Sequence, residues 1–373
     1  MAFNSLSPRK ILRSGIGALL NLMPLTVWKR FYPKDVITLC YHTVSNQDLP
    51  HIKYYRYKNV RQFEADLSYI QDHQRFINYD EVGHHRLKTA TLPPNGFFLT
   101  FDDGLAECFN VIRPTLLQYG VRGAFFVTTS LIGNRMLFLE NKISLCIGAV
   151  ERLSGEQASE LITVLSVAKI LQDPNRSEDF NIGMARFRRA RIQPPATENH
   201  RWLIVSLLML QPQDAEIVDK YCEHLGINQA EYLGQNPVYL TSEQIRQLAA
   251  EGFTVGAHGV SHIKLRLLSS QQQIESEIVT SCDSIRQVTG QKKVPFAFPY
   301  TGNGLEVTFL ADLVRRYEFI ELFFDLRGLH RSPPLIVNRL WVDLPDDRGG
   351  EKTNLPRQLS EAWSQAEIWS RRG

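Results

Sequence analysis

The sequence predicts a closed barrel of parallel strands wrapped in helices and interrupted by one helical insertion. Three observations predict it. Short apolar runs rich in aromatic and β-branched residues alternate with helix-like segments. About seven such runs occur, enough to close a barrel related to the eight-stranded one. Residues able to carry chemistry stand where the runs end.

The strands are expected at 36–41, 97–101, 124–128, 253–257, 294–298, 319–324 and 336–342, most bounded by Gly, Pro or Asp. Helices are expected between them at 60–72, 107–119, 242–251, 270–289 and 304–317. Thr241-Ser242-Glu243-Gln244 reads as a helix start and Gly252 as its stop. In 270–289, Ile274, Ile278, Cys282 and Ile285 recur at spacings of three and four, a one-faced helix. The alternation breaks at 137–237. Helices are expected there at 142–153, 156–171, 202–210 and 215–225, with loops at Asp173-Pro174-Asn175 and Gln193-Pro194-Pro195. The chain therefore divides into a barrel in two parts, 36–136 and 238–345, an insertion, and a helical tail at 346–373. Lying between two strands of the barrel, the insertion is either a cap over the strand ends or a structural subdomain.

Residues 1–35 form a basic segment. Arg9, Lys10 and Arg13 precede an apolar stretch from Ile16 to Trp28, Lys29-Arg30 follow, and Asn21 and Pro24 interrupt it. It is too short and broken for a spanning helix, and no small-x-small cleavage site follows. It reads as an amphipathic helix on a membrane surface or as a helix packed on the protein body. The net charge of +3 gives no global field for nucleic acid. The five cysteines, Cys40, Cys108, Cys146, Cys222 and Cys282, are scattered with no C-x-x-C pair. They read as reduced core thiols of a cytoplasmic or peripherally membrane-associated chain, against a disulfide framework or a cysteine zinc cluster.

Two runs carry the chemistry: Thr100-Phe101-Asp102-Asp103-Gly104 and His258-Gly259-Val260-Ser261-His262. Each is weak alone, because Asp-Asp-Gly is a common turn and H-x-x-x-H is common on surface helices. Together, at two strand ends, they offer carboxylates and imidazoles from separate elements, as a divalent metal requires. On a helical turn the spacing of four would bring both rings to one side. Successive side chains at a strand end point in different directions, so one carboxylate can bind metal while its neighbour takes a proton from the attacking water. His42 ends the first strand and either faces this pocket or is hydrogen-bonded at the barrel rim. His84-His85, in the polar stretch 80–88, read as solvated. So does the basic run Arg186, Arg188, Arg189 and Arg191, with contact to an anionic glycan as the minority reading.

With Pro299-Tyr300 added after the strand at 294–298, these motifs resemble the polysaccharide deacetylase family (carbohydrate esterase family four, the chitooligosaccharide deacetylase homology domain) over about 36–343. The resemblance implies a distorted (β/α)7 barrel. It implies that Asp102 is the general base and that Asp103, His258 and His262 bind a divalent metal, usually zinc. It implies that the Tyr300 backbone N–H helps hold the oxyanion. The implied activity is metal-dependent removal of N-acetyl groups from amino sugars of a bacterial-type glycan or glycan precursor. A metal amidohydrolase with a small non-glycan N-acyl substrate, or an inactive glycan-binding barrel, are the alternatives. The sequence departs from the family pattern at three places. Gly259 stands where Ser or Thr is frequent. Phe296 stands where an Arg usually orients the base. The late Leu-x-His that usually supplies the acid is absent, and His330 does not match it. The resemblance leaves the general acid unassigned, with His42 able to compensate; uncompensated, these losses predict a slow enzyme.

Overall fold

The computed structural model describes residues 36–88, 96–345 and 350–370. The expected basic segment at 1–35 lies outside them. Eight strands form one parallel sheet: β1 (Ile37–Tyr41), β2 (Arg75–Phe76), β3 (Gly96–Phe101), β4 (Ala124–Val127), β5 (Thr254–Ala257), β6 (Val294–Ala297), β7 (Ile320–Asp325) and β8 (Ile336–Trp341). β1 pairs with β3 on one edge and β8 on the other, so seven strands close into a ring. The two-residue β2 lies outside that ring, beside the first two residues of β3; β4 pairs only with the last two.

Alternation along the strands sorts the core into two layers. Leu39, Tyr41, Phe101, Phe125, Val255, Phe296 and Phe323 face the surrounding helices. Phe98, Phe126, Ala297, Phe324 and Val337 belong to a second cluster that fills the ring. Phe126 needs the absent side chain of Gly256, because a Cβ there would stand 2.4 Å from its ring. The helices outside start where their sequences can cap them. Asn59 with Gln62, Thr241 with Gln244, and Ser270 with Gln273 each form a reciprocal capping box. Gly290, at φ 71°, stops the longest of the three, Gln271–Thr289.

Between β4 and β5 the chain builds helices Leu139–Val150, Gly155–Val164, Val167–Gln172, Ser177–Phe187, Glu198–Met209, Ala215–His224 and Gln229–Gln235. They have a core of their own, with Ile143, Cys146, Ile147, Leu203, Leu207 and Tyr221 in it. Ser177–Phe187 was not expected; its apolar residues are sparse, and it rests on Glu198–Met209, where Gly183 lies against Met209 and Val205. Tyr79–Leu87, read from sequence as a polar stretch, is also a helix, held by an Asn78–Glu81 capping box. The tail ends in Leu355–Ser370. All five cysteines are free and buried, Cys146 and Cys222 with sulfurs 3.6 Å apart in the insertion core. Among the described residues no helix is long and apolar enough to cross a membrane.

Candidate active site and metal centre

Parallel strands bring their carboxyl ends to one face, and the sequence-predicted residues meet there. Cys40 and His42 follow the inward alternation of β1, Thr100 and Asp102 that of β3, and Val337, Arg339 and Trp341 that of β8. Asp102 accepts a fork of two hydrogen bonds from Arg339, at 2.6 Å and 2.7 Å. Both side chains are fully buried. Arg339 Nη1 also donates to Thr100 Oγ1 at 3.1 Å, and its guanidinium stands 5.2 Å from the Phe126 ring. Burial would raise the Asp102 pKa, but Arg339 and then His258 outweigh it, so the pKa falls below the ordinary value and the carboxylate stays ionised.

Asp103 turns the other way. Its φ of 70° belongs to the left-handed region, as do His262 at 55° and Tyr300 at 60°. Non-glycine residues in that region are uncommon and cluster at functional sites. Asp103 Oδ1 lies 3.4 Å from His258 Nε2 and 3.2 Å from His262 Nε2. His258 and His262 are not on a helical turn, as the spacing of four suggested. They lie in a loop, and their rings come within 5.1 Å because Gly259 (φ 77°) and His262 fold the chain back. Glu277 holds that loop, accepting from Val260 N at 2.8 Å, Ser261 N at 3.1 Å and Ser261 Oγ at 2.7 Å. A Cβ at position 259 would stand 3.2 Å from Glu277 Oε2, so Gly259 gives this carboxylate its room.

These residues fit a divalent cation. The His258 Nδ1 hydrogen donates to the Ala297 carbonyl at 2.9 Å, which leaves the Nε2 lone pair facing Asp103. Asp103 Oδ1 is buried and makes no directed hydrogen bond. Burial works to raise the Asp103 pKa, yet the two adjacent imidazoles and the charge of His42 pull it well below the ordinary range. The ligand atoms of Asp103, His258 and His262 lie within 4.8 Å of one another. Cys40, His42 and Asp102 are as close, but the Arg339 fork on both Asp102 oxygens opposes a cation there.

His42 faces the same pocket. Its Nδ1 contacts Asp343 Oδ2 at 2.6 Å, and its backbone N–H donates to Asp343 Oδ1 at 2.9 Å. Trp341 Nε1 donates to the same carboxylate at 2.5 Å. Burial opposes the charged imidazole, but Asp343 and then Asp103 overcome it and raise the pKa to about 9. Tyr300 N–H donates to no protein group among the described residues. Its hydroxyl bonds Glu140 Oε1. Glu140 Oε2 and His262 Nδ1 are 4.0 Å apart, both buried and neither hydrogen-bonded.

Residues 218–314, which hold both histidines and Tyr300, match the model of a family described as polysaccharide deacetylase. That stretch is about a quarter of the chain, and over it the sequence is similar to polysaccharide deacetylases. Similar solved structures include IcaB from Ammonifex degensii, at 16% identity and TM-score 0.49 over 89% of this chain and 97% of that one. They include the Streptococcus pyogenes deacetylase PplD in complex with acetate, at 15% identity and TM-score 0.48 over 83% and 93%. A de-N-acetylase from Aggregatibacter actinomycetemcomitans matches at 16% and TM-score 0.45 over 83% and 95%. No curated protein matches the chain by sequence.

The structure revises two expectations. Phe296 does not leave Asp102 without an arginine. Phe296 faces outward onto Phe298 and Phe323, and Arg339 reaches Asp102 from β8 instead. The missing late histidine does not leave the pocket without an imidazole backed by a carboxylate, because His42 and Asp343 supply one. An inward arginine in an apolar strand was the available signal for Arg339: a buried cation needs a carboxylate. Glu140 had no signal, since it lies more than a hundred residues from His262 in sequence. It nonetheless stands 4.0 Å from His262, and that position has a measurable consequence. Glu140→Gln should weaken divalent-metal binding by about 10-fold, the low end of the 10–100-fold cost typical of lost partners of metal ligands. Competition with a chromogenic chelator would measure it, and unchanged affinity would reduce Glu140 to packing.

Proposed function

We propose that this chain is a metal-dependent deacetylase that removes N-acetyl groups from amino sugars of a glycan or glycan precursor. The observation that supports it most is the placement of Asp102, forked by Arg339, and His42, backed by Asp343, beside a three-residue cation cage. Asp103, His258 and His262 would hold the ion, zinc by the chemistry of one carboxylate and two imidazoles. Bound there, it supplies Lewis acidity toward the acetyl carbonyl and the attacking water. Asp102 takes the proton from that water, with Arg339 keeping the base ionised and aimed. The Tyr300 N–H donates to the carbonyl oxygen as negative charge develops on it. His42 gives its proton to the leaving amine, and Asp343 fixes the imidazole's tautomer and orientation.

The first test is metal analysis of the purified protein paired with acetate release from N-acetylated glycans. Asp103→Ala should lose both the ion and the acetate. An ion retained by that variant would mean that the cage is misassigned.

The assignment of His42 makes a pH prediction. The acid must be protonated, so turnover falls as pH rises through its pKa, which is about 9 before any cation binds and lower beside one. Asp343→Asn removes the charge that holds this proton. The alkaline limb of the kcat profile should therefore move to lower pH in that variant. A limb that stays in place would assign the acid to another group.

A further inference from the structure

The insertion brings positive charge to the mouth of the site, where the sequence had read its basic run as solvated. Arg186, at the end of helix Ser177–Phe187, stacks 4.9 Å over the Tyr54 ring and donates to the Leu208 carbonyl. Arg189, exposed, stands 5.9 Å from the Trp341 ring, and Trp341 is the donor to the Asp343 that holds His42. From the barrel side, Lys264 Nζ lies 5.0 Å over the Tyr300 ring and is held by Gln211 of the insertion at 2.7 Å. Three cations thus border the site from the Tyr300 side to the His42 side.

No carboxylate pairs with Arg186, Arg189 or Lys264 among the described residues, and the acidic groups nearby are committed elsewhere. Glu140 bonds Tyr300. Asp179 and Asp214 hold Arg176. Asp48 holds Arg191, and Asp343 holds His42. Cations gathered without a counter-charge repel one another, and an incoming oxyanion relieves that repulsion while accepting charge-assisted hydrogen bonds. The net charge of +3 is too small to make this an effect of the whole surface.

We propose that Arg186, Arg189 and Lys264 form a subsite for an oxyanion carried by the substrate, a phosphate or carboxylate attached to the sugar that bears the N-acetyl group. The proposal rests on the deacetylase reading for the identity of that sugar, but not for the binding of the anion. The substrate is then an acidic glycan or a sugar phosphate, and the aromatic faces of Tyr54 and Trp341 lie under the two arginines that grip it.

Calorimetric titration of the full chain separates the cases. The probes are N-acetylglucosamine, N-acetylglucosamine 1-phosphate and N-acetylmuramic acid, in low and high salt. At least one acidic sugar should bind about 10-fold or more tightly than the neutral one at low salt, with the gap closing as salt rises. Preference for the phosphate or for the carboxylate sugar identifies the source of the anion. Arg186→Gln should abolish the preference, whereas Arg188→Gln, in the exposed neighbour, should keep it. Because Arg186 also braces Leu208, Lys264→Gln serves as a second variant and should lower the preference without touching that contact. Equal binding of neutral and acidic sugars by the wild type would overturn the subsite, whatever the acetate assay shows. Arg186-dependent anion binding without acetate release from any probe would uphold the subsite and sink the deacetylase reading instead.

Discussion

Asp102→Asn should lower acetate release by about 10²–10⁴-fold, the usual contribution of a general base. The amide keeps the shape of the carboxylate but cannot take a proton at neutral pH. Metal affinity should stay close to wild type, because the cage is built from Asp103, His258 and His262 and not from Asp102. The decisive comparison is turnover against bound metal in one preparation. A variant that keeps full turnover would remove Asp102 from the role of base. One that loses turnover and metal together would show that the two aspartates do not divide the work.

The second large effect concerns stability. Arg339→Met should destabilise the barrel by about 3–5 kcal/mol, because it leaves the Asp102 carboxylate buried and unpaired. Arg339 and Asp102 are both fully buried, and the fork between them uses both carboxylate oxygens. The double variant Asp102→Asn with Arg339→Met should recover much of that loss, since neither charge is then stranded. Urea unfolding of the wild type, both single variants and the double variant closes the cycle. The pH dependence has opposite signs in the two proteins. In the wild type the Asp102 pKa is depressed, so its stabilisation is present above the unfolded value of about 3.9 and lost as pH falls through the folded one. In the arginine variant burial raises that pKa, so acidification protonates Asp102 and relieves the penalty. The stability gap should therefore narrow as pH falls. A cycle in which the single and double variants lose the same amount would show that Arg339 acts by filling space.

The gathering of polar residues at the strand ends was legible in the sequence. Asp102, Asp103 and His258 each follow a run whose apolar, β-branched character marks a buried strand, and parallel strands place such ends on one face. His42 was legible for the same reason, though not its partner, Asp343, which lies about three hundred residues away and reaches it only because β1 and β8 are neighbours. The geometry of the loop that carries His258 and His262 was not legible. A spacing of four fits a helix, and only the backbone angles at Gly259 and His262 show a folded loop.

The sequence by itself determined the barrel, the insertion and the pairing of two carboxylates with two imidazoles, because local periodicity and strand-end position are properties of neighbouring residues. Only the tertiary structure decided which arginine holds Asp102, which carboxylate holds His42, and that Glu140 and Arg186 of the insertion stand at the site. The reason is ring closure. Bringing β8 against β1 carries Arg339 to Asp102 and Asp343 to His42, and packing the insertion on the barrel carries Glu140 to Tyr300. Such contacts join residues far apart in sequence, and no pattern within a single segment encodes them.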